Sequence, residues 1–258
     1  MANLALITGA SSGIGAEFAR YHARRGGDVI LTARSADKLD ALAEELREAH
    51  GITAHVFAVD LGAPGGADDL AAKVDAAGLE VEILINNAGF GGQGAHVDRD
   101  LDDERAMIDL NVTALVTLCH HFGGRMAARG KGRILNVSST AGFMPGPLQA
   151  IYFATKAFVK SFSEALDQEL RPKGVTVTLL APGYVETGFA DRADLHGTGL
   201  VKGGGKSAKS VAKHGYDAMR RGALVTVNEG PLGFMVDWVI PLLPRRAVLK
   251  MVERMQKK

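Results

Sequence analysis

The chain has 258 residues, of which 47% are hydrophobic, and its 30 basic and 29 acidic side chains leave a formal net charge of +1. This length suits one α/β domain over residues 1–258, and the balanced charge argues against broad attraction to nucleic acid or anionic membranes. The only cysteine, Cys119, has no intrachain disulfide partner, and the first residues lack the charged and long apolar regions of a signal peptide. We therefore expect a reducing, cytoplasmic location and no transmembrane span.

Short apolar runs without polar alternation recur along the chain and predict buried strands. They occupy Leu4–Ile7, Val29–Leu31, Ala54–Ala58, Ile83–Ile85, Arg133–Val137 and Val175–Leu180, and Ala223–Val227 is a candidate seventh strand. Helical patterns lie between them, including long helices from about Asp102 to Ala128 and from about Gln149 to Arg171. This alternation predicts one mostly parallel sheet with helices on both faces.

The first predicted strand runs into a glycine-rich turn, Thr8-Gly9-Ala10-Ser11-Ser12-Gly13-Ile14-Gly15, which leads into a helix. Glycine lets a backbone turn sharply and approach a ligand closely, and the free N–H groups of a helix N-terminus favour a phosphate. The spacing Gly-x-x-x-Gly-x-Gly differs from the commoner Gly-x-Gly-x-x-Gly dinucleotide pattern. The turn predicts a pyrophosphate site.

Further motifs follow the turn in order. They are Asn86-Asn87-Ala88-Gly89, Asn111 in the long fourth helix, Asn136-Val137-Ser138-Ser139, Tyr152-Phe153-Ala154-Thr155-Lys156 and Pro182-Gly183-Tyr184-Val185-Glu186-Thr187. Together with the glycine turn they resemble the short-chain dehydrogenase/reductase family over roughly residues 3–187. The resemblance implies a doubly wound Rossmann-type domain of about seven strands. It also implies an NAD(P)(H)-dependent enzyme that interconverts a small-molecule carbonyl and an alcohol by hydride transfer.

Tyr152 and Lys156 stand four residues apart, so both side chains lie on one face of a helix. A tyrosine can exchange a proton with a substrate oxygen, but its ordinary pKa of about 10 makes it a poor base near neutral pH. The charge of Lys156 favours tyrosinate and is expected to lower the pKa of Tyr152. The spacing alone is common on helix surfaces, and only the surrounding motifs favour a catalytic pair.

The resemblance assigns the other site residues. Ser139, the second serine of its pair, would orient the substrate oxygen, and Asn111 would join a water-linked proton path behind Lys156. Each of three residues also has a structural alternative. Asn111 could be a buried asparagine whose amide is hydrogen-bonded locally. Asp60 could form a turn at the end of its strand, and Asn87 could brace neighbouring strands. Cofactor contacts are expected from Gly9, Ser11, Ser12, Gly13, Ile14, Gly15, Arg34, Asp60, Leu61, Asn87, Ala88, Gly89, Tyr152, Lys156, Pro182, Gly183, Val185 and Thr187.

The second strand is followed by Arg34, with no carboxylate there to bind a free ribose 2′-hydroxyl. An arginine at this place can bind a 2′-phosphate through a charge-assisted contact of about 1.5–3 kcal/mol. The nearest acid, Asp37, falls in the first turn of the next helix, where its negative charge is locally favourable. The sequence therefore predicts NADP(H) in preference to NAD(H), with a solvated strand-end cation as the alternative.

Downstream of Thr187 the sequence departs from the family pattern, because Asn228-Glu229-Gly230-Pro231 follows the seventh strand where many members have Asp-Gly-Gly. This departure makes the tetramer common in the family doubtful and leaves a homo-oligomer open. Residues 188–215, rich in glycine, are predicted to form a mobile substrate-gating loop. Residues 231–258 hold many large apolar groups, predicted to cover apolar surface near the substrate mouth or at a subunit contact, with a basic amphipathic helix on lipid as the rival.

Two other features carry no site. His120-His121 lacks the spacing and partners of a zinc site, so no metal is predicted. The segment Gly203-Gly204-Gly205-Lys206-Ser207 lacks the earlier glycine of a nucleotide phosphate loop and is interpreted as an ordinary loop.

Two other function classes remain open. A non-catalytic nucleotide-sensing or scaffolding protein would be expected to have lost Ser139, Tyr152 or Lys156, and all three are present. A nucleotide-sugar epimerase or dehydratase would need a separate sugar-binding domain, for which the chain leaves little room.

Overall fold

A seven-stranded, all-parallel sheet forms the centre of the computed structural model, which describes residues 3–258 apart from the side chains of residues 200 and 202. The first two residues of the predicted domain therefore lie outside the described residues. The strands of this sheet in chain order are β1 (Ala5–Thr8), β2 (Val29–Ala33), β3 (Ala54–Ala58), β4 (Ile83–Asn86), β5 (Gly132–Val137), β6 (Val175–Leu180) and β9 (Val225–Thr226). Two further short strands, β7 (Val185–Glu186) and β8 (Lys206–Ser207), pair with each other in a separate small sheet. The spatial order β3-β2-β1-β4-β5-β6-β9 reverses between β1 and β4, which is where open α/β sheets bind ligands.

Helices cover both faces of this sheet. They are α1 (Gly13–Ala23), α2 (Ala36–His50), α3 (Gly66–Ala76), α4 (Leu101–Ile108), α5 (Leu115–Arg129), α6 (Ala150–Leu170), α7 (Phe189–Arg192), α8 (Gly199–Lys202), α9 (Ala208–Arg220), α10 (Gly230–Phe234) and α11 (Arg245–Gln256). One face packs against α1, α2 and α9, and the other packs against α3, α5 and α6. The predicted doubly wound fold is confirmed.

Side chains of one strand divide between the two cores. Along β1, Ala5 and Ile7 pack in the same cluster as Phe18 of α1, whereas Leu6 packs in the cluster that contains Phe122 of α5. Successive strand residues point to opposite faces, so a strand covered on both sides must be apolar throughout. This is why the strands appear in the sequence as unbroken apolar runs.

The long fourth helix is interrupted. Residues Asp109–Ala114 form a π-helical segment between α4 and α5, and Asn111 lies inside it. Such segments place one extra residue in a turn and often accompany functional sites. The predicted helix is thus continuous in extent but irregular in its middle.

The predicted loop over residues 188–215 is shorter than expected. Helix α9 begins at Ala208, where the hydroxyl of Ser207 accepts a hydrogen bond from the backbone N–H of Ser210, and it buries Val211 and Ala212 beside α1. Lys206–Ser207, also expected in a loop, pairs with β7 as strand β8. Only residues 188–207 match the predicted insertion, and they contain α7 and α8.

The C-terminal segment has a packed part and an exposed part. Helix α11 buries Val248 and Val252 in a cluster that contains Tyr152 and Phe153. Of the large apolar groups before it, Val236 and Ile240 are buried, whereas Phe234, Trp238 and Leu242 are exposed, so the cover expected for these three at a subunit contact stays a prediction. Among residues 3–258, no helix has both the length and the hydrophobicity needed to cross a membrane.

Candidate active site

A cavity of about 650 Å³ opens at the carboxyl ends of the central strands, a volume suited to a small-molecule or cofactor site. Ser139, Tyr152 and Lys156 line it, as do the predicted cofactor residues with one exception. The lining set includes Gly9, Ser11, Ser12, Gly13, Ile14, Arg34, Asp60, Leu61, Asn87, Ala88, Gly89, Pro182, Gly183, Val185 and Thr187. Gly15 and Asn111 lie outside the lining.

The glycine turn forms one wall of the cavity. Gly9 has φ +65° and Gly13 has φ +55°, backbone conformations that favour glycine. Gly15 is buried, and a Cβ there would overlap the carbonyl oxygen of Gly9, so the turn requires glycine at this position, and the cofactor contact expected of it stays a prediction. Because α1 begins at Gly13, its first N–H groups have no partner within the helix and lie at this wall. A bare backbone cradle at a helix N-terminus fits a diphosphate.

Strands β1 and β4 are tied together beside the turn. The hydroxyl oxygen of Thr8 accepts hydrogen bonds from the backbone N–H groups of Asn87 and Ala88, each at 2.9 Å. The amide nitrogen of Asn87 donates to the carbonyl oxygen of Thr8 at 2.9 Å. Asn87 therefore braces the strands, the alternative considered for it, while also lining the cavity.

Asp60 is exposed at the end of β3, and its Oδ1 accepts a hydrogen bond from the backbone N–H of Gly62 at 3.0 Å. This is the local turn contact that was its alternative role. Its position in the cavity wall keeps a cofactor contact open as well.

The two serines after β5 differ in what their hydroxyls contact. The hydroxyl of Ser138 donates to the backbone carbonyl oxygen of Lys156 at 2.8 Å, which occupies it structurally. Ser139 lies within hydrogen-bonding reach of the phenol of Tyr152 and also accepts from the N–H of Ala141 at 3.1 Å. The geometry therefore distinguishes Ser139 as the serine beside the phenol.

Burial dominates the electrostatics of Tyr152 and Lys156. Burial raises the pKa of Tyr152 to about 12, and the hydrogen bond from Ser139 offsets only part of that rise. Burial also lowers the pKa of Lys156 to about 8. The ammonium lies 5.7 Å from the centre of the phenol ring and donates to the carbonyl oxygen of Val137 at 3.1 Å. The expected lowering of the Tyr152 pKa by Lys156 is therefore not found, because burial of the phenol sets the direction of the shift and the charge of Lys156 is not among its causes.

Asn111 is buried behind this pair, and its amide is satisfied locally. Its Oδ1 accepts from the backbone N–H of Phe90 at 3.1 Å, and its Nδ2 donates to the carbonyl oxygen of Phe90 at 2.9 Å and to the hydroxyl of Thr155 at 3.2 Å. These contacts tie the loop after β4 to α6. Gly89 is required beside them, because a Cβ there would lie 2.9 Å from the Asn111 Oδ1 and 3.5 Å from the Lys156 Nζ.

The far side of the cavity is mostly apolar, and the sequence patterns did not predict most of the residues that line it. Met144, Tyr184 and Phe189, which flank the sequence motifs, line it, but so do Phe90, Phe153, Val252 and Met255. A polar pair in this wall joins the start of α6 to α11, because the Nε2 of buried Gln149 donates to the Oε1 of Gln256 at 2.6 Å. The amphipathic pattern of α11 was the only signal for this wall, and it does not say where the helix docks.

Arg34 is exposed just after β2 and lines the cavity, and Asp37 lies in the first turn of α2 as predicted. In the part of the chain that the structure describes, no group of three or more His, Cys, Asp or Glu side chains is arranged to hold a metal ion.

The fold and this site define a dinucleotide-binding oxidoreductase, and comparison with known proteins identifies its family. A family model described as short chain dehydrogenase matches residues 3–196. The very-long-chain 3-oxoacyl-CoA reductase of Macaca fascicularis is 34% identical, over 98% of this chain and 79% of its own length. The sulfoacetaldehyde reductase of Chromohalobacter salexigens is 37% identical, over 89% of this chain and 85% of its own length.

Among solved structures, a short-chain dehydrogenase from Sphingobium yanoikuyae in complex with NADPH superimposes with a TM-score of 0.85. It is 32% identical, and the match covers 99% of this chain and 98% of that one. The chain belongs to the short-chain dehydrogenase/reductase family and is an NAD(P)-dependent oxidoreductase. Matches to the vertebrate 3-oxoacyl-CoA reductases span between 58% and 80% of their lengths.

Proposed function

We propose that the protein interconverts a carbonyl and an alcohol with NADP(H), using Tyr152 as the acid/base. The observation that carries the proposal is that Ser139, Tyr152 and Lys156 share one cavity with the glycine turn and Arg34. The glycine cradle fits the cofactor diphosphate, and the cofactor when bound supplies or accepts the hydride.

The residues of the chain divide the remaining work. Ser139 holds the substrate oxygen beside the phenol of Tyr152, which exchanges a proton with that oxygen. Burial keeps Tyr152 protonated near neutral pH, and the protonated form is the one that carbonyl reduction requires. Lys156 presents its ammonium beside Gly89, where it can hold the hydroxyls of the nicotinamide ribose.

Preference for NADP(H) is supported by Arg34, which lines the cavity where the 2′-phosphate would lie. A charge-assisted contact there corresponds to about a ten- to hundredfold preference over NAD(H). The NADPH complex of the Sphingobium relative agrees with this assignment.

The substrate class is proposed from the apolar wall. Phe90, Met144, Phe153 and Val252 favour a ketone with an apolar body next to its carbonyl. The relatives named above act, by their names, on a very long 3-oxoacyl-CoA and on a small sulfonated aldehyde, so names alone do not select a substrate. A reducing, cytoplasmic location and a homo-oligomer remain predictions, the first supported by the unpaired Cys119.

The test is Tyr152→Phe assayed by NADPH oxidation against a panel of ketones. Cofactor binding should be retained while turnover falls by about 10²–10⁴-fold, because the ring remains and the transferable proton does not. Tyr184→Phe, which removes a phenol from the same cavity, is the matched control and should keep its activity. Retention of more than about a tenth of turnover in Tyr152→Phe would refute this role. NADPH binding without turnover of any ketone by the wild type would favour a non-catalytic nucleotide-binding protein.

A further inference from the structure

The helical run from Gly230 to Leu242 carries an exposed apolar face. Phe234 is 62% exposed, Met235 42%, Trp238 68% and Leu242 85%. The run is α-helical to Phe234, π-helical over Met235–Val239 and 3-10 helical over Ile240–Leu242. At roughly 90–120° per residue in these helix types, the four positions fall within about 100° of arc, so they form one surface, called here the 234–242 face. Apolar side chains grouped in this way on a protein surface are typical of interaction sites.

The opposite side of the run anchors it to the protein. Val236 and Ile240 are buried, and Ile240 packs in the cluster that contains Tyr152 and Val252. The 234–242 face is therefore held outward by packed neighbours. Leu232, on the same run, lines the active-site cavity, so the face lies on the element that borders the cavity.

Positive charge accompanies this face. Residues 231–258 contain six basic side chains and two acidic ones, although the whole chain has a net charge of only +1. Arg245 and Arg246 are exposed and follow the 234–242 face after two residues. Asp237 is the acidic group nearest in sequence, and Glu253 lies in α11.

The charge distribution distinguishes between occupants. Two copies pairing through this face would bring together two segments that each hold six basic and two acidic side chains, and this net like charge opposes the contact. An anionic lipid surface offers an apolar layer for the 234–242 face and phosphate groups for the arginines. Tryptophan and arginine also suit this boundary, because each has an apolar body and a polar tip.

We propose that the 234–242 face docks on the surface of an anionic lipid bilayer, with Phe234, Trp238 and Leu242 in the interfacial layer and Arg245 and Arg246 at the head groups. The association is peripheral and reversible, since a short amphipathic segment lies on a bilayer without spanning it. It does not depend on the proposed substrate or cofactor.

Trp238 is the only tryptophan in the chain, so its fluorescence reports on this face directly. The full chain is titrated with vesicles of phosphatidylcholine plus phosphatidylserine, and with vesicles of phosphatidylcholine alone. We expect a blue shift of the emission, protection from a water-soluble quencher and co-sedimentation with the anionic vesicles, all weakened by added salt.

Two pairs of variants separate the contributions. F234S/L242S should reduce vesicle binding by about tenfold or more, whereas V97S, at a residue 87% exposed elsewhere, should leave it unchanged. R245Q/R246Q should remove the preference for anionic vesicles, whereas K173Q/R221Q, which removes two exposed charges outside the segment, should retain it. Unchanged melting temperatures show that each variant remains folded.

Failure of Trp238 to respond to anionic vesicles would overturn the proposal. So would equal vesicle binding by F234S/L242S and V97S. A concentration-dependent dimer that F234S/L242S abolishes, in a protein that ignores vesicles, would assign the face to a second copy and would also overturn it.

Discussion

Lys156 and Tyr152 are both buried, and burial shifts their pKa values in opposite directions. The charged form is the disfavoured one for each, so the lysine pKa falls to about 8 and the tyrosine pKa rises to about 12. Near neutral pH Lys156 is therefore charged, and burying this charge lowers the folding stability. Tyr152 is neutral at the same pH, so it carries no such penalty. A cost of this kind is common where a site is built for function and not for stability.

The cost of Lys156 should appear as a dependence of stability on pH. Below pH 8 the lysine is protonated in both the folded and unfolded states, and the full penalty of about 3 kcal/mol applies. Between pH 8 and 10.5 Lys156 binds more protons in the unfolded chain than in the folded one. Its contribution should therefore raise the free energy of unfolding as pH increases. Tyr152 acts oppositely, and only above about pH 10.

Urea unfolding of wild type and Lys156→Met from pH 7 to 10 measures this slope. The variant should lack the rise and should be more stable than wild type at pH 7, by less than the full penalty because the hydrogen bond to Val137 is lost. Lys160→Met, one turn along α6 and only partly buried, is the control and should follow the wild type. Parallel profiles for wild type and Lys156→Met would mean that the buried lysine carries no such penalty.

Arg34→Ala should reduce affinity for NADP(H) by about ten- to hundredfold and leave affinity for NAD(H) nearly unchanged, because only the 2′-phosphate contact is lost. Binding is measured by fluorescence titration of each cofactor. Arg24→Ala, which removes an exposed cation outside the active-site cavity, should alter neither. Equal affinity of the wild type for both cofactors, unaltered by Arg34→Ala, would contradict the assignment.

At the level of elements, regular structure was predictable where local pattern and burial agree. The strands β1 to β6 fall within two residues of the apolar runs, and α6 spans Ala150–Leu170 where about Gln149 to Arg171 was expected. The π-helical segment was not predictable, because it shifts the helical repeat over a single turn. Nor was the start of α9, because the glycines and lysines before it suggested a loop, whereas its buried face is set by distant contacts with α1.

The insertion at residues 188–207 is the element most suited to close over substrate. Its buried anchors are few, chiefly Ala190, Ala193, Leu195 and Thr198, so little surface opposes its opening. NADPH with a ketone substrate should protect Arg192 and Lys206 from trypsin, because closure excludes the protease. Cleavage is followed by mass spectrometry, with cutting at exposed Lys173, outside the insertion, as the internal control. Unchanged cleavage at Arg192 and Lys206 would leave the segment a surface insertion without a gating role.

Docking of α11 against α6 can be tested through Val252, which is buried beside Tyr152 and Phe153. Val252→Ala removes two methyl groups from this contact and should lower the free energy of unfolding by about 1–2 kcal/mol. Val97→Ala makes the same chemical change at an exposed site and should cost less than about 0.5 kcal/mol. Equal small effects in urea unfolding would show that α11 does not pack on α6.

At the level of the whole molecule, the cavity joins residues from Gly9 to Gln256. The cofactor half comes from motifs at the ends of successive parallel strands, and the topology of the sheet alone brings those ends together. The apolar half depends on where α7, α10 and α11 pack, which is decided by shape and burial over long separations in sequence. This is why the sequence predicted the class of reaction and the nucleotide site, and left the substrate wall open.

Cys119 can report on unfolding of the sheet and the helices packed on it, because it is the only thiol in the sequence and is buried between α5 and the central strands. Burial raises its pKa to about 12, while hydrogen bonds with Asn86 and Asn136 offset a small part of that rise. The thiolate is the reactive form, so a thiol-specific reagent should label the folded chain only as fast as the core opens. One equivalent should react at once in urea.

Because opening of the core would also disassemble the nucleotide site, cofactor should slow the labelling of Cys119. NADPH at about one hundred times its Kd stabilises the folded state by about 2.7 kcal/mol, which corresponds to about hundredfold slower labelling if opening is global. NADPH added to Arg34→Ala at the same concentration should slow labelling less, since its binding is weaker. Rapid labelling without denaturant, or a slow rate that NADPH does not change, would show that Cys119 is reached by local opening of α5 and not by unfolding of the whole sheet.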